Sequence, residues 1–497
     1  MFVDQFSPDA EGSNISQIQE IRKMDKSDGT IHYYVKWKGV RTPTWEPESM
    51  VLHYGGEQHI KRFIDKPSTR ARANHIMLAA VIKRLELEKE VYDELEQEAR
   101  KAVQEFLLKK KDVKHDKETL LQAYMKEFEA VLTKRMDEVV GHERERVLNT
   151  HRVVRLRMNY EPKRDARCKF RCIVMGHTEP REWSEGGTDS PVASTESVRI
   201  LVFSGNQDQE EVLAACDIDT AFLQGMEYGP GDKPRYVAIK MYKGAPLRVY
   251  KLRGSLYGQR EASMRWYKTL APFLVKELGY TQGDNDLCSF IHEKTRHRVV
   301  IHVDDLLTRG TLEHSQQFFK LLQRRFNIKP PRYLSHEEPI DFCGIRIRSR
   351  EQNGNVWYSM DQEEEITKFL EETQELQGIV PVATPMPNKQ AITVDSAKLN
   401  QEKHKRYRSL VGSMQYFATQ TRYDIAHPLA RLAQYCEQPT EAAYQGLLRV
   451  AAYLKGTADR VLEAPLVHME ECTWDMYVDS DWAGDRALGT LSHTGMV

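Results

Sequence analysis

The stretch RVVIHVDDLLTRG, residues 298–310, sets two adjacent carboxylates inside an apolar run. Val299, Val300, Ile301 and Val303 are β-branched and His302 does not break the run, so the residues before Asp304 suit a strand. Leu306 and Leu307 resume the apolar pattern directly after Asp305. Burying two unpaired carboxylates is expensive. Either a hairpin bend turns both side chains to water, or a cation neutralises them. Mg²⁺ takes hard oxygen ligands and favours a few carboxylates on a rigid element. The second explanation requires a third carboxylate with strand-like flanks.

LAACDIDTAFLQG, residues 213–225, supplies it. Asp217 follows the small apolar approach Leu213 to Cys216. The residues beyond it can turn into a helix with Ala221, Phe222 and Leu223 packed beneath. A strand ending in Asp217, beside a hairpin carrying Asp304 and Asp305, brings three oxygen ligands to one sheet edge. Two divalent ions bridged by such carboxylates can activate a 3′-hydroxyl and stabilise leaving pyrophosphate, which is polymerase chemistry. Asp219 is the rival ligand, although its side chain points to the opposite face if the strand continues.

Bulk properties bound the search. With 497 residues, 40% hydrophobic and 29% charged, the chain reads as a soluble protein of about two to four domains. No run approaches the roughly 18 apolar residues of a membrane span, and the start MFVDQFSPDAEGSN lacks the regions of a signal peptide. An intracellular protein with no membrane partner is the expectation. The seven cysteines are scattered. Cys168 and Cys172 in CKFRC lack the second pair of a zinc site and read as reduced, structural residues. The net charge of −1 excludes a global basic field, so any nucleic acid must be held by a local surface.

Three textures follow along the chain. Residues 14–65 contain alternating segments such as TIHYYVKWKG that predict short strands, then GGEQHIKRFID as a closing helix. From Val81 to Leu108 a helical period appears, with Leu85, Tyr92, Ala99 and Phe106 seven apart and Leu95 and Ala102 between them. LLKKKDVKHDKE then reads as an exposed linker. Beyond about residue 145 strand and helix signals mix, as in an α+β domain.

Several segments together resemble the reverse transcriptase of copia-type LTR retrotransposons, in collinear order. KFRCIVMGH (169–177) resembles the fingers strand, with DSPVASTESVRILV (189–202) after it. CDIDTAFLQG resembles the first palm motif, KLRGSLYGQREASMRWY (251–267) the template-gripping motif, and IHVDDLL the metal-binding hairpin. DFCGIRI (341–347) resembles the primer-grip strand; VATPMP, YRSLVGSMQYFATQTRYDIAH and VAAYLKGT resemble the thumb and connection. The resemblance implies an α+β multidomain chain with a right-hand palm, fingers and thumb. It implies domains at 145–377 (fingers and palm), 378–470 (thumb and connection) and 471–497 (start of an RNase H domain), after a helical charged linker at 66–144.

The resemblance also assigns roles. Asp217, Asp304 and Asp305 match the catalytic, metal-binding carboxylates for two Mg²⁺ ions, with Mn²⁺ as an alternative. Phe222 matches the ring set against the sugar of an incoming dNTP, where it clashes with a 2′-hydroxyl. Tyr257 and Gly258 match the template-gripping loop, in which Gly lets the backbone approach the base pair. Arg171 matches a fingers residue whose planar fork pairs with triphosphate oxygens. Three positions depart from the pattern: His302 replaces a Tyr, and Glu261 and Ser263 replace a neutral residue and a Pro. A Glu beside a template phosphate would be repulsive, and losing Pro loosens the loop.

WDMYVDSDWAGD resembles the first strand of an RNase H domain, with Asp479 at its first metal ligand and Asp481 as the rival. With no further carboxylate of that site before Val497, RNase H activity is not expected. YYVKWKGVRTPTWEPESMV (33–51) resembles a chromodomain, a small curved sheet with a C-terminal helix that binds methyl-lysine in an aromatic cage. Trp37 matches one cage wall. Val40 and Ser16 or Ile15 stand where aromatic walls are usual, and Trp45 reads as core. The expected function is RNA-directed DNA polymerisation on an RNA template and DNA primer, with the N-terminal module directing the element to chromatin through a histone tail. Cytoplasmic particles and the nucleus are the implied locations. The alternative is a catalytically inactive remnant that only binds chromatin or nucleic acid.

Overall fold

The computed structural model describes residues 18–27, 30–38, 42–48, 51, 59–60, 92–110, 113, 115–162, 168–184, 187–206, 209–386, 396–468, 478–480 and 494–496. The chain forms two compact units, Met1–Ala102 and Val103–Val497.

In the first unit, antiparallel strands Ile18–Ser27, Thr30–Trp37 and Thr44–Pro47 form one sheet in that order. Because side chains alternate across a strand, Tyr33, Val35 and Trp37 share one face. They are buried there with Ile18, Ile21, Val51 and Ile60. Tyr34 lies on the other face opposite Trp45, its cross-strand partner, with ring centroids 5.1 Å apart. The expectation for the two tryptophans is therefore reversed. Trp37 is 6% exposed and its indole N–H donates to Thr44 Oγ1 at 3.0 Å, so its ring packs in the core and is no cage wall. Trp45, expected in the core, is 45% exposed. Of the expected closing helix only residues 59–60, which are helical, are described; Ile15, Ser16 and Val40 lie outside the described residues.

Residues 92–109 are helical, with Leu95, Ala99 and Ala102 buried; Leu85 lies outside the described residues. The stretch read as a charged linker carries, from Lys117 onward, ordered structure of the second unit. The Lys117–Arg135 helix starts at Asp116, whose carboxylate accepts from the Glu118 and Thr119 N–H groups, satisfying donors that a helix start leaves open. Leu120, Leu121, Tyr124, Phe128 and Val131 recur at helical spacing and are buried. Strand Met136–Val139 then joins a five-stranded sheet, in the order Met136–Val139, Arg248–Leu252, Tyr236–Ile239, Val153–Pro162, Cys168–Val174.

A six-stranded sheet carries the carboxylates, in the order Thr281–Gln282, Ser289–Ile291, Arg298–His302, Asp305–Thr311, Glu211–Asp217, Arg332–Tyr333. Both faces are covered. Ala214, Cys216, Val299, Ile301 and Leu306 pack with Trp266, Leu270, Phe318 and Leu322 from the Ala262–Pro272 and Leu312–Arg325 helices. Leu213, Ala215, Val300 and Leu307 pack with Val198 and Leu201 of the Thr195–Phe203 helix, and with Ile345 and Ile347 of a four-stranded sheet. Two-sided burial is why these strands read as continuous apolar runs. Helices Glu363–Glu372, Gln401–Gln420, Ala426–Ala433 and Glu441–Gly456 close over a separate core that includes Met414, Phe417, Leu429, Leu447 and Val450. Backbone Val478–Ser480 pairs antiparallel with Thr494–Met496, Asp479 opposite Gly495. The Asp479 side chain and Asp481 lie outside the described residues. The six cysteines that are described are free, and no described helix is long and apolar enough to cross a membrane.

Candidate active site

The first strand of the hairpin ends at His302, one residue earlier than expected, and Val303 and Asp304 form a two-residue turn before Asp305 opens the next strand. Val303 adopts φ +57°, costly for a β-branched residue, at about 1–3 kcal/mol. The flanking Val299, Val300, Ile301, Leu306 and Leu307 are at most 3% exposed, and each contributes about 1.5–3 kcal/mol by burial. Burial therefore outweighs the strain severalfold. The turn is also pinned on both sides: the Trp266 indole N–H donates to the Val303 carbonyl at 2.6 Å, and the Ile218 N–H donates to the Asp304 carbonyl at 2.8 Å.

Antiparallel pairing sets Asp217 directly opposite Asp305, with Asp304 beside them on the turn. Like charges opposed across a strand pair repel. Burial, then Asp217 and Asp304, push the Asp305 carboxyl up to about 7. Burial and the Asp217 charge also raise Asp304; it reaches solvent, but the surrounding walls displace enough water to disfavour its charge. Burial opposes ionisation of Asp217 too, yet the Lys329 ammonium that it binds holds its carboxyl below the usual range. Asp219 lies beyond the strand end, exposed, its N–H donating to the Asn327 carbonyl at 2.9 Å.

Hard carboxylate oxygens crowded together, whose charges disfavour one another, fit a divalent cation in chemistry. As they stand, no three His, Cys, Asp or Glu side chains among the described residues close on one point. Asp217, Asp304 and Asp305 are the residues that could hold an ion.

The nucleotide-side candidates gather nearby. Phe222, on a short 3₁₀ turn Ala221–Leu223 rather than the expected helix, meets the Tyr257 ring edge-on at 5.1 Å. The Arg171 guanidinium lies over that same ring at 5.1 Å and pairs with Glu161 at 3.2 Å. Gly258 has φ +86°, and a Cβ there would lie 2.3 Å from the Val174 carbonyl oxygen. Its close approach is thus to the Cys168–Val174 strand, where the Val174 N–H donates to the Tyr257 carbonyl at 2.8 Å.

Glu261 overturns its expectation. Its side chain is 6% exposed and faces Arg235, itself 4% exposed, at 2.8 Å. The Tyr228 ring is 3.9 Å from the Arg235 guanidinium carbon and 4.5 Å from that of Arg265. A carboxylate enclosed by two arginines does not face a template phosphate. Sequence reasoning missed Arg235 because nothing in a pattern links residues 26 apart. It also missed Lys329, Cys343, whose Sγ lies 3.7 Å from Asp305 Oδ2, and Trp266, although Cys343 lies in DFCGIRI and Trp266 in KLRGSLYGQREASMRWY.

Residues 138–388 match the family Reverse transcriptase (RNA-dependent DNA polymerase), just over half of the chain. The chain belongs to this reverse transcriptase family. Its second unit is α+β, and divalent-metal dependence is general to such enzymes. Residues 16–66 match the chromo (chromatin organisation modifier) domain. Among curated relatives, the Retrovirus-related Pol polyprotein from transposon RE1 of Arabidopsis thaliana is 32% identical over 337 residues, covering 64% of this chain and 21% of that protein. The corresponding RE2 polyprotein is 30% identical over 328 residues, with the same two coverages. That of transposon TNT 1-94 from Nicotiana tabacum is 27% identical over 353 residues, covering 66% and 24%. These are copia-type relatives, and the chain spans about a fifth of the length of the first two. A foamy viral protease-reverse transcriptase solved with double-stranded DNA aligns over 89% of this chain and 72% of its own, at 12% identity and TM-score 0.36; that likeness carries no argument.

Proposed function

We propose that the second unit is an RNA-directed DNA polymerase that adds dNTPs to a primer 3′-hydroxyl, with Asp217, Asp304 and Asp305 as its metal-binding carboxylates. The observation that carries this is the register of Asp217 against Asp305 beside the pinned Val303–Asp304 turn. In support, a sheet buried on both faces holds Asp217 and Asp305 in register at one strand end, with Asp304 on the adjoining turn. Held by these carboxylates, two Mg²⁺ or Mn²⁺ ions would supply activation of the hydroxyl and neutralisation of the leaving pyrophosphate. The chain's own residues fix the geometry. Trp266 and Ile218 hold the turn, so Asp304 keeps its place without cost at the moment of reaction. Phe222, braced by Tyr257, is the ring that excludes a ribose 2′-hydroxyl, and Arg171 is the guanidinium for triphosphate oxygens. Gly258 keeps the gripping loop tight against the fingers strand.

The buried Glu261–Arg235 pair removes one objection to activity. The test is primer extension on poly(rA) with oligo(dT), dTTP and Mg²⁺, comparing the protein with its Asp304→Ala, Asp305→Ala variant. Synthesis by the first and none by the second supports the reading; equal activity in both removes it. For the N-terminal module we propose targeting to a histone tail. The half-buried Tyr34 and exposed Trp45 rings replace Trp37 as the aromatic surface a methyl-ammonium would use. The support for this is the chromo match and the exposure of Trp45.

A further inference from the structure

The turn of the Ile340–Phe342 and Ile345–Gln352 hairpin lies against the candidate metal site, and its two residues are unusual. Cys343 takes φ +49° and Gly344 φ +73°. Glycine accepts this conformation freely, but a cysteine with its Cβ does not. Something must over-determine the turn for Cys343 to stay there.

Two contacts do so from opposite sides. The Tyr416 hydroxyl, on the Gln401–Gln420 helix, donates to the Cys343 carbonyl. The fit is close, because a Cβ on Gly344 would lie 2.6 Å from Tyr416 Oη. From the other side of the same residue, the Cys343 thiol donates to Asp305 Oδ2, with Sγ and oxygen 3.7 Å apart. Asp305 is the carboxylate paired across the strands with Asp217. A continuous path therefore runs from a helix of the thumb core, through one backbone carbonyl and one thiol, to a carboxylate of the site.

We propose that Cys343 is a positioning residue for this site. Its thiol selects the rotamer of Asp305, and Tyr416 fixes the strained turn that aims the thiol, so the seating of the Gln401–Gln420 helix governs how well the site accepts a divalent ion. The inference rests on the proposed polymerase reading and deepens it. The thiol's hydrogen bond goes to the carboxylate, and it takes no part in bond making. Sulfur is a weak donor, so the expected effect is graded.

The experiment measures metal binding by the whole protein as well as turnover. Mn²⁺ is titrated without nucleic acid and free ion is read by electron paramagnetic resonance, for the protein and its Cys343→Ala, Cys343→Ser, Tyr416→Phe and Asp305→Ala variants. Primer extension is followed against Mg²⁺ concentration in parallel. Cys343→Ala should raise the half-saturating concentration of both ions about five- to tenfold, as expected for one lost hydrogen bond from a weak sulfur donor. The extension rate at saturating metal and the KM for dTTP should stay within about twofold. Cys343→Ser keeps an O–H donor and should recover most of the affinity, which a merely space-filling role would not predict. Tyr416→Phe, which removes only one oxygen, should shift both curves in the same direction as Cys343→Ala. If Asp305→Ala abolishes tight Mn²⁺ binding and synthesis while Cys343→Ala and Tyr416→Phe leave both curves in place, the positioning role is overturned and the polymerase reading stands. If Asp305→Ala changes neither, both fall.

Discussion

Replacing Arg235 by Met isolates the buried ion pair that accounts for Glu261. The pair is 2.8 Å apart with both side chains at most 6% exposed. At an effective dielectric of about 20 the gross attraction is about 6 kcal/mol, against desolvation of several kcal/mol per ion. The intact pair is therefore near break-even, and breaking it is not. Arg235→Met leaves Glu261 enclosed, with Arg265 at 4.0 Å as a weaker partner. The expected loss is about 3 kcal/mol, the lower end for an orphaned buried charge. Arg235→Met with Glu261→Gln should recover most of it. Burial already raises the Glu261 carboxyl against the pull of Arg235 and Arg265. Without Arg235 it rises further, and the folded state binds a proton that the unfolded state releases, so the deficit is smaller at pH 5 than at pH 8. Urea denaturation followed by tryptophan fluorescence at the two pH values reads all three forms. If Arg235→Met alone leaves the midpoint unchanged, and Glu261→Gln alone tightens primer-template binding severalfold, Glu261 faces the template and not Arg235.

Three further outcomes are expected. Gly258→Ala forces a Cβ to 2.3 Å from the Val174 carbonyl at φ +86°; it should destabilise the second unit by about 2–4 kcal/mol, and an unchanged urea midpoint would contradict the packing described. His297 is 1% exposed, its Nδ1 bonded to the Tyr280 hydroxyl at 2.7 Å; burial, helped by His314, His292 and Arg298, takes its imidazole from 6.5 down to about 3. The unfolded chain binds that proton and the folded one does not, so stability should fall as pH drops from 6.5 toward 3, by about 2 kcal/mol at pH 5, and His297→Phe should flatten that slope in acid denaturation curves. Trp37→Ala should unfold the first unit, at a cost of about 3–5 kcal/mol, whereas Trp45→Ala should leave its circular dichroism intact and lower affinity for a trimethyl-lysine histone peptide; the reverse pattern would restore Trp37 as the cage wall.

How much of this was legible depended on distance along the chain. The carboxylates stood out because each interrupts an apolar strand, a local signal, and the strands that carry them lie where the apolar runs predict. The residues that tune the site escaped because they come from elsewhere: Lys329 lies more than a hundred positions from Asp217, and Arg235 is 26 from Glu261. The turn was misplaced by one residue because Val303 is β-branched and reads as strand, while tertiary packing forces it to φ +57°. Trp37 and Trp45 could have been ordered correctly from the alternation of Tyr33, Val35 and Trp37 with Tyr34 and Lys36. Motif resemblance pointed the other way. The Lys117–Arg135 helix mixes charges among its buried positions, blurring the periodicity that marks a packed face, so the sequence alone reads it as part of a charged linker.

The central claim is that Asp217, Asp304 and Asp305 form a working metal-dependent polymerase site. Its most direct test is dTTP incorporation on poly(rA)·oligo(dT) by the folded protein, beside the Asp304→Ala, Asp305→Ala variant, with template binding measured on both. The account predicts Mg²⁺-dependent synthesis by the protein and none by the variant, with nucleic-acid binding nearly unchanged because phosphate contacts do the positioning. Equal synthesis by both, or none from the folded protein, would contradict it.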